Sequence, residues 1–184
     1  MSGTPDKKTG GTRNYAKYPK TLQNRRDEYD AEIATGNYNA ELSYFDESGG
    51  SVLVQKDHTN ITEGSLEMET AHELAKKGYK IRLESEKSKK FKDKKCDGTI
   101  YKSPMDIKTV SKAGKFTIKG HLEKASSQGA NTVIIRQGSS KITRKYIDDQ
   151  IGLFKSKSPR RAVRKIKRVI VVGENGHVHV HDLQ

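Results

Sequence analysis

One segment constrains the fold more than any other, because its periodicity changes from that of a helix to that of a strand. Residues 61–85 read ITEGSLEMETAHELAKKGYKIRLES. The first half has apolar residues at the spacing of one helical face, at Met68, Ala71, Leu74 and Ala75. Gly78 then stands where a left-handed helix end belongs, and YKIRLES alternates as a strand does. The segment therefore predicts a helix that leads directly into a strand.

The same kinds of element recur along the rest of the chain. The patterns predict strands at 97–101 and 105–110, a helix ending at 128, a strand at 131–137, helices at 142–156 and 158–166, and a hairpin from 168 to 181. Pro104 is predicted to mark the turn between the first two of these strands, and Ser158 with Pro159 to start a helix. The hairpin is predicted to turn at Asn175-Gly176. We therefore expect one α+β domain, close to α/β, with a central mixed β-sheet flanked by helices in the order α-β-β-β-α-β-α-β-β.

The N-terminal part of the chain has a different composition. Residues 1–40 are predicted to be a basic, partly flexible arm, with a short helix at 22–33. The folded domain then covers residues 41–184 and opens with a hairpin that turns at Gly49-Gly50.

The charge of the chain points to a class of partner. Its 184 residues include 36 Lys and Arg against 23 Asp and Glu, a formal net charge of +13. Such an excess favours nucleic acid as partner, because cations that contact phosphates release counterions. With a single cysteine there is no internal disulfide. No apolar run has the length of a membrane span and no signal-peptide core is present, so we expect no membrane partner and a cytoplasmic location, reached by delivery or in a virion if not by synthesis there.

Two aspartates and a lysine fall in the strands predicted after residue 96. The stretch CDGTIYKSPMDIKTV contains Asp97 and, nine residues later, the triplet Asp106-Ile107-Lys108. Because side chains alternate along a strand, Asp106 and Lys108 point to one face. Asp97 comes close to Asp106 if the strands are neighbours and their register agrees, which the sequence leaves open. Two carboxylates can hold a divalent cation, and a lysine can stabilise charge on a phosphate.

This D-x8-D-x-K layout is similar to the PD-(D/E)xK pattern of phosphodiesterases. That pattern also takes an acid from the preceding helix, and Glu67 lies on the inward helical face whereas Glu69 and Glu73 project away from it. Glu67, Asp97 and Asp106 are therefore candidate ligands of Mg²⁺ if the site uses a metal. The competing interpretation is a salt-bridged hairpin without chemistry, since charged cross-strand pairs also stabilise sheets.

Two further groups of residues suggest binding. The basic segment 141–168 supplies candidate contacts to nucleic-acid phosphates: Lys141, Arg144, Arg160, Arg161, Arg164 and Lys165. A solvated helix face is the competing interpretation. His177, His179 and His181 alternate on the last strand, which suits zinc binding or acid–base chemistry, or a solvent-facing edge strand.

The order of several motifs resembles a known family. These are YFDESGGSVLVQKDH, AHELAKKGYKIRL, CDGTIYKSPMDIKTV, IKGHLEKASSQGANTVII and IKRVIVVGENGHVHV. Together, from residue 44 onward, they resemble the C-terminal tRNA nuclease domain of contact-dependent growth inhibition toxins, which also occurs in phage and mobile-element proteins. The resemblance implies a ribonuclease of the barnase/EndoU/colicin/RelE-like group, which works without a metal through attack of the 2′-hydroxyl, and it implies an immunity protein as partner. It places the chemistry at Asp97, Asp106, Lys108, Thr109 and His121.

Three hypotheses for the function follow. The first is a ribonuclease, with tRNA as substrate and no cofactor. The second is a DNA endonuclease that requires Mg²⁺ and uses the same acids and lysine. The third is a basic nucleic-acid-binding or virion-packaged protein whose site is inactive.

Overall fold

The computed structural model describes residues 19–58, 60–85 and 96–184. Within them the chain forms five helices and eight strands. In chain order these are α1 (Pro19–Ala34), β1 (Tyr44–Phe45), β2 (Ser51–Val54), α2 (Leu66–Ala75), β3 (Lys80–Leu83), β4 (Gly98–Ile100), β5 (Ser103–Val110), α3 (Thr117–Gln128), β6 (Thr132–Gln137), α4 (Arg144–Lys157), α5 (Arg160–Lys165), β7 (Arg168–Val172) and β8 (Val178–Asp182). The predicted arm up to residue 18 lies outside the described residues.

All eight strands belong to one sheet, and their order in the sheet is their order in the chain. Three neighbouring pairs are parallel, namely β2–β3, β5–β6 and β6–β7, and the other four are antiparallel. Helices connect the parallel pairs, because strands that run parallel need a crossover connection. The predicted α+β class with a mixed sheet is confirmed. The predicted order begins at α2, so α1, β1 and β2 come before it, and α4 and α5 together stand where that order has one helix.

Two apolar clusters lie on opposite faces of the sheet. On one face, α2 buries Met68, Ala71 and Leu74 against the strands. On the other face, α3 and α4 pack through residues such as Leu122 and Phe154. Because both clusters are buried and closely packed, the sheet holds the polar side chains between them in fixed positions.

The first helix packs on the half of the sheet that α3 and α4 leave open. The buried guanidinium of Arg25 donates hydrogen bonds to the carbonyl oxygens of Gly49 and Gly78, at 3.1 and 3.3 Å. Ion pairs join Lys80 to Glu28 and Arg82 to Glu32. The helix predicted at 22–33 is thus confirmed, and it contacts the sheet; the division of the chain at residue 40 stays a prediction.

Two local predictions are wrong. The turn between β4 and β5 consists of Tyr101 and Lys102, with φ of 47° and 67°, and Pro104 lies inside β5 opposite Thr99. A two-residue loop with both φ positive matches the twist of a hairpin, and proline fits the ladder where its missing N–H is not needed. Ser158 is the residue that ends α4, and Pro159 is the N-cap residue of α5.

Three predicted glycine positions are confirmed. Gly49, Gly78 and Gly176 all have positive φ, at the first hairpin turn, after α2 and at the last hairpin turn. Within the described residues, no helix is both long enough and apolar enough to span a membrane.

Candidate active site at a fork in the sheet

The site lies where β4 and β5 part. The two strands pair from Gly98↔Met105 to Ile100↔Ser103, and within the described residues 106–110 pair with β6 alone. The carboxylate of Asp97 fills the fork, since its Oδ2 accepts a hydrogen bond of 2.7 Å from the backbone N–H of Ile107. The fork therefore turns an unpaired strand edge into a seat for an acidic side chain.

Gly98 makes this fork possible on its other side. A Cβ atom at Gly98 would stand 1.9 Å from the carbonyl oxygen of Arg82 on β3. Only glycine permits the approach of β3 and β4 that brings Asp97 next to β5.

Asp106 and Lys108 share one face of β5, as their spacing predicts. The side chain of Asp106 is fully buried, and the ammonium of Lys108 lies 2.8 Å from its Oδ2 and 3.9 Å from Oδ2 of Asp97. The ammonium contacts Oδ2 of Asp106, and Oδ1 of that carboxylate has no hydrogen-bond partner among the described residues. One ammonium thus bridges two carboxylates.

The lysine is held in its charged form. Burial alone would lower the pKa of Lys108, but the Asp106 carboxylate and the charges of Asp97 and Glu67 outweigh burial and raise it. Lys108 is therefore a permanent cation at the centre of the site.

Two acids of the site titrate near neutral pH. Burial, followed by the neighbouring Asp106 carboxylate, raises the pKa of Asp97 to about 6. Burial, followed by the charge of Asp97, raises the pKa of Glu67 to about 7, although Lys108 opposes the shift. Glu67 is the second residue of α2, after the N-cap residue Ser65, so the helix delivers it to the fork from the opposite face of the sheet. The structure brings Glu67, Asp97, Asp106 and Lys108 together.

The two secondary candidates differ in placement. His121 on α3 is half-buried, and burial followed by the charge of Lys108 lowers its pKa, so it is a neutral neighbour of Lys108 at pH 7. Thr109 is exposed and points to the opposite face from Lys108, in register with Arg136. His121 thus adjoins the site, whereas Thr109 lies outside it.

The donor set can be compared with the needs of a metal ion. Within the described residues, no three His, Cys, Asp or Glu side chains are close enough to hold one, a finding that includes Glu67, Asp97 and Asp106 as well as the histidines of β8. Asp97 and Asp106 remain as a pair. A divalent cation would give Oδ1 of Asp106 a partner and would favour the ionised form of Asp97, whose pKa is raised, so this pair fits such an ion with further ligands from outside the protein.

Comparison with known proteins adds evidence on the fold. The sequence matches no protein-family model and no curated protein. The structure is similar to a chain of the CdiA-CT/CdiI toxin and immunity complex from Burkholderia pseudomallei, with a TM-score of 0.50 and 21% identity, over 70% of this chain and 98% of that one. The two chains share a fold. At this identity the likeness supports the predicted resemblance at the level of fold.

The predicted phosphate contacts fall into two groups at opposite ends of α4. Lys141 and Arg144 are exposed beside the carboxyl ends of β5–β7. The α5 group has Arg160, Arg161 and Arg164 exposed and Lys165 half-buried. The 14 residues of α4 separate the groups by about 21 Å. The two groups do not form one compact patch.

Sequence reasoning missed Arg136 on β6. Only 9% of this residue is exposed, and its Nη1 has no hydrogen-bond partner among the described residues. The sequence offered one sign of this residue, a charged side chain within the apolar strand TVIIRQ. Arginine is rarely buried without a counter-charge, so such a position is unusual.

Proposed function

We propose that this protein is a toxin-type nuclease that cleaves phosphodiester bonds of RNA, with tRNA as its substrate. The observation that carries the proposal is the fork, where Lys108 bridges two carboxylates and a third acid stands within electrostatic reach. A salt-bridged hairpin needs neither a fully buried carboxylate nor two acids with pKa values near neutrality. Buried ionisable groups with such perturbed pKa values are typical of functional sites.

The residues suit transesterification of RNA. An ionised carboxylate accepts the proton of the 2′-hydroxyl, the oxygen attacks phosphorus, and the bond from phosphorus to the 5′-oxygen breaks with a proton supplied to that oxygen. Asp97, with the lower pKa, is the better base, and Glu67, with the higher pKa, is the better acid. Lys108 stabilises the charge that develops on the phosphate.

A second candidate is a DNA endonuclease that requires Mg²⁺, and the buried Oδ1 of Asp106, which has no hydrogen-bond partner among the described residues, favours it. Asp97 and Asp106 would hold the ion, which would supply charge stabilisation at the phosphate. Lys108 would retain its role toward the substrate.

The choice of a nucleic-acid substrate and of a toxin role has separate support. A net charge of +13 suits a polyanionic substrate. The shared fold with a chain of a toxin and immunity complex supports the toxin role and an immunity protein as partner. Action in the cytoplasm is part of the same proposal.

Incubation of the purified protein with tRNA and with plasmid DNA, each in Mg²⁺ and in EDTA, tests the proposal. RNA cleavage that persists in EDTA supports the metal-free ribonuclease, and RNA cleavage only in Mg²⁺ supports a ribonuclease that uses the carboxylate pair. Cleavage of DNA in Mg²⁺ with intact tRNA supports the second candidate. Binding without cleavage, unchanged in Lys108→Ala, supports a non-catalytic nucleic-acid-binding protein.

Variants at the fork locate the chemistry. We expect Asp106→Ala and Lys108→Ala each to lower the cleavage rate at least about 100-fold, the usual scale for one acid–base or electrostatic group. Lys112→Ala, at an exposed lysine just after β5, is the matched control and retains the wild-type rate. Activity within a few-fold of wild type in both fork variants would remove the fork from the mechanism.

A further inference from the structure

A second cluster of ionisable side chains lies at the far side of the same sheet. His179 and His181 lie on one face of β8, His177 directly precedes that strand, and the rings of His177 and His179 have centroids 4.6 Å apart. Together with the start of α4 they enclose a cavity of about 230 Å³. Its polar lining consists of Gln137, Arg144, Asn175 and the three histidines. We call this cavity the histidine pocket.

The charge of the histidine pocket is suited to an anion. Arg144 is the first residue of α4, and no acidic residue lies in the first turn of that helix, so the positive end of the helix dipole adds to the guanidinium. Asp148 is the acid that faces the pocket, with carboxylate oxygens 4.0 Å from Nε of Arg144 and 3.7 Å from Nε2 of His181. One carboxylate thus stands against one guanidinium and three imidazoles.

The imidazoles respond to one another. Burial, followed by the charges of His177, Arg144 and His181, lowers the pKa of His179, and Asp148 opposes this shift. A bound phosphate anion would oppose these positive charges and favour protonation. A pocket of this kind binds phosphate more tightly in mildly acidic solution.

Register connects the pocket to the fork. Lys108 pairs with Ile135, Ile135 with Val171, and Val171 with His179. Lys108 and His179 therefore stand in one row across β5 to β8 and on the same face, three strand spacings or about 14 Å apart. Ile135 and Val171 between them are buried under α3 and α4, so a strand bound at both sites would follow the carboxyl-terminal edge of the parallel strands, which is also where α/β sheets bind ligands.

We propose that the histidine pocket is a subsite for a backbone phosphate of the RNA strand whose reacting phosphate lies at the fork, and that it binds more tightly when its imidazoles are protonated. This proposal rests on the proposed function for its substrate. Of the two ends of the basic segment, the Arg144 end faces the pocket, whereas the α5 end lies about one length of α4 away.

Binding measurements test the subsite without cleavage. Full-length protein carrying Lys108→Ala keeps the RNA intact, and fluorescence anisotropy with a labelled tRNA then gives Kd at pH 5.8 and 7.8 over a series of salt concentrations. A variant with all three histidines changed to Gln tests the imidazoles, Arg144→Ala tests the guanidinium, and Lys145→Ala is the exposed control on the same helical turn. Circular dichroism confirms that each variant is folded.

The expected results are specific. With the pocket intact, binding tightens at least about fivefold from pH 7.8 to 5.8 beyond the change seen in the triple Gln variant, because protonated imidazoles add phosphate contacts. Arg144→Ala weakens binding about tenfold and reduces the slope of log Kd against log salt by about one, whereas Lys145→Ala stays within twofold.

Other outcomes separate the two proposals. If the triple Gln and Arg144 variants bind tRNA like Lys145→Ala at both pH values, the subsite is refuted even where the wild type cleaves RNA. If inorganic phosphate shifts the histidine NMR signals while the affinity for tRNA is the same in the wild type and these variants, the pocket is a site for free anions. The assignment of the pocket to an RNA phosphate is then wrong. If the binding pattern holds while the wild type cleaves nothing, the proposed function fails and the subsite stands.

Discussion

Replacing Glu67 by glutamine should stabilise the protein in a pH-dependent way. The folded protein holds a proton on Glu67 more tightly than the unfolded chain, because the pKa rises from 4.5 to about 7. The free energy of unfolding therefore contains a contribution that is fully present below pH 4.5 and is lost as the pH rises to about 7. A shift of this size corresponds to about 3 kcal/mol. A glutamine side chain at this position is neutral at every pH and does not suffer this loss.

The measurement is urea unfolding followed by circular dichroism between pH 4.5 and 7.5, in EDTA, for wild type and Glu67→Gln. The difference in unfolding free energy between the two should grow by about 3 kcal/mol in favour of the variant as the pH rises. Relief of the repulsion on Asp97 acts in the same direction. Glu69→Gln, at an exposed acid in the same helical turn, should give a difference that hardly changes over this range. A flat difference for Glu67→Gln would refute the view that the site stores unfavourable electrostatic energy, and full nuclease activity in that variant would remove Glu67 from the chemistry.

Two further predictions concern stability. Gly98→Ala should lower the free energy of unfolding by at least about 2 kcal/mol, because the new Cβ would meet the backbone of Arg82. Gly120→Ala, where a Cβ would have no atom within 4 Å, should raise the free energy of unfolding by about 0.5–1 kcal/mol, because alanine has the higher helix propensity. Equal effects of the two substitutions in urea unfolding would contradict this reasoning. Arg136→Met should raise the free energy of unfolding by about 1 kcal/mol or more, since a buried cation whose Nη1 lacks a partner among the described residues is replaced by an apolar chain. Destabilisation by more than about 1 kcal/mol in the same urea assay would mean that the guanidinium has a partner in solution.

Much of the candidate site followed from local periodicity. The spacing of Asp106 and Lys108 placed them on one face of a strand, and the helical pattern of α2 turned Glu67 inward. These inferences succeed because the direction of a side chain depends on residues a few positions away. Pro104 shows the limit of such reasoning, since turn statistics favoured a turn there and cross-strand pairing placed it inside β5.

Other features needed the folded chain. The hydrogen bond from Ile107 to Asp97 depends on a register that pairs Gly98 with Met105, and register is a property of two strands together. The burial of Arg136 and the row that joins Lys108 to His179 across four strands likewise involve residues far apart in sequence.

The sequence by itself determined which residue types and periodicities were available: a basic chain, alternating helices and strands, and two aspartates followed by a lysine at strand spacing. Only the tertiary structure decided that the sheet forks beside Asp97, that Asp106 is fully buried, and that two acids titrate near neutral pH. The physical reason is that burial and the distance between charges arise from long-range pairing, and these two quantities set the chemistry of an ionisable group.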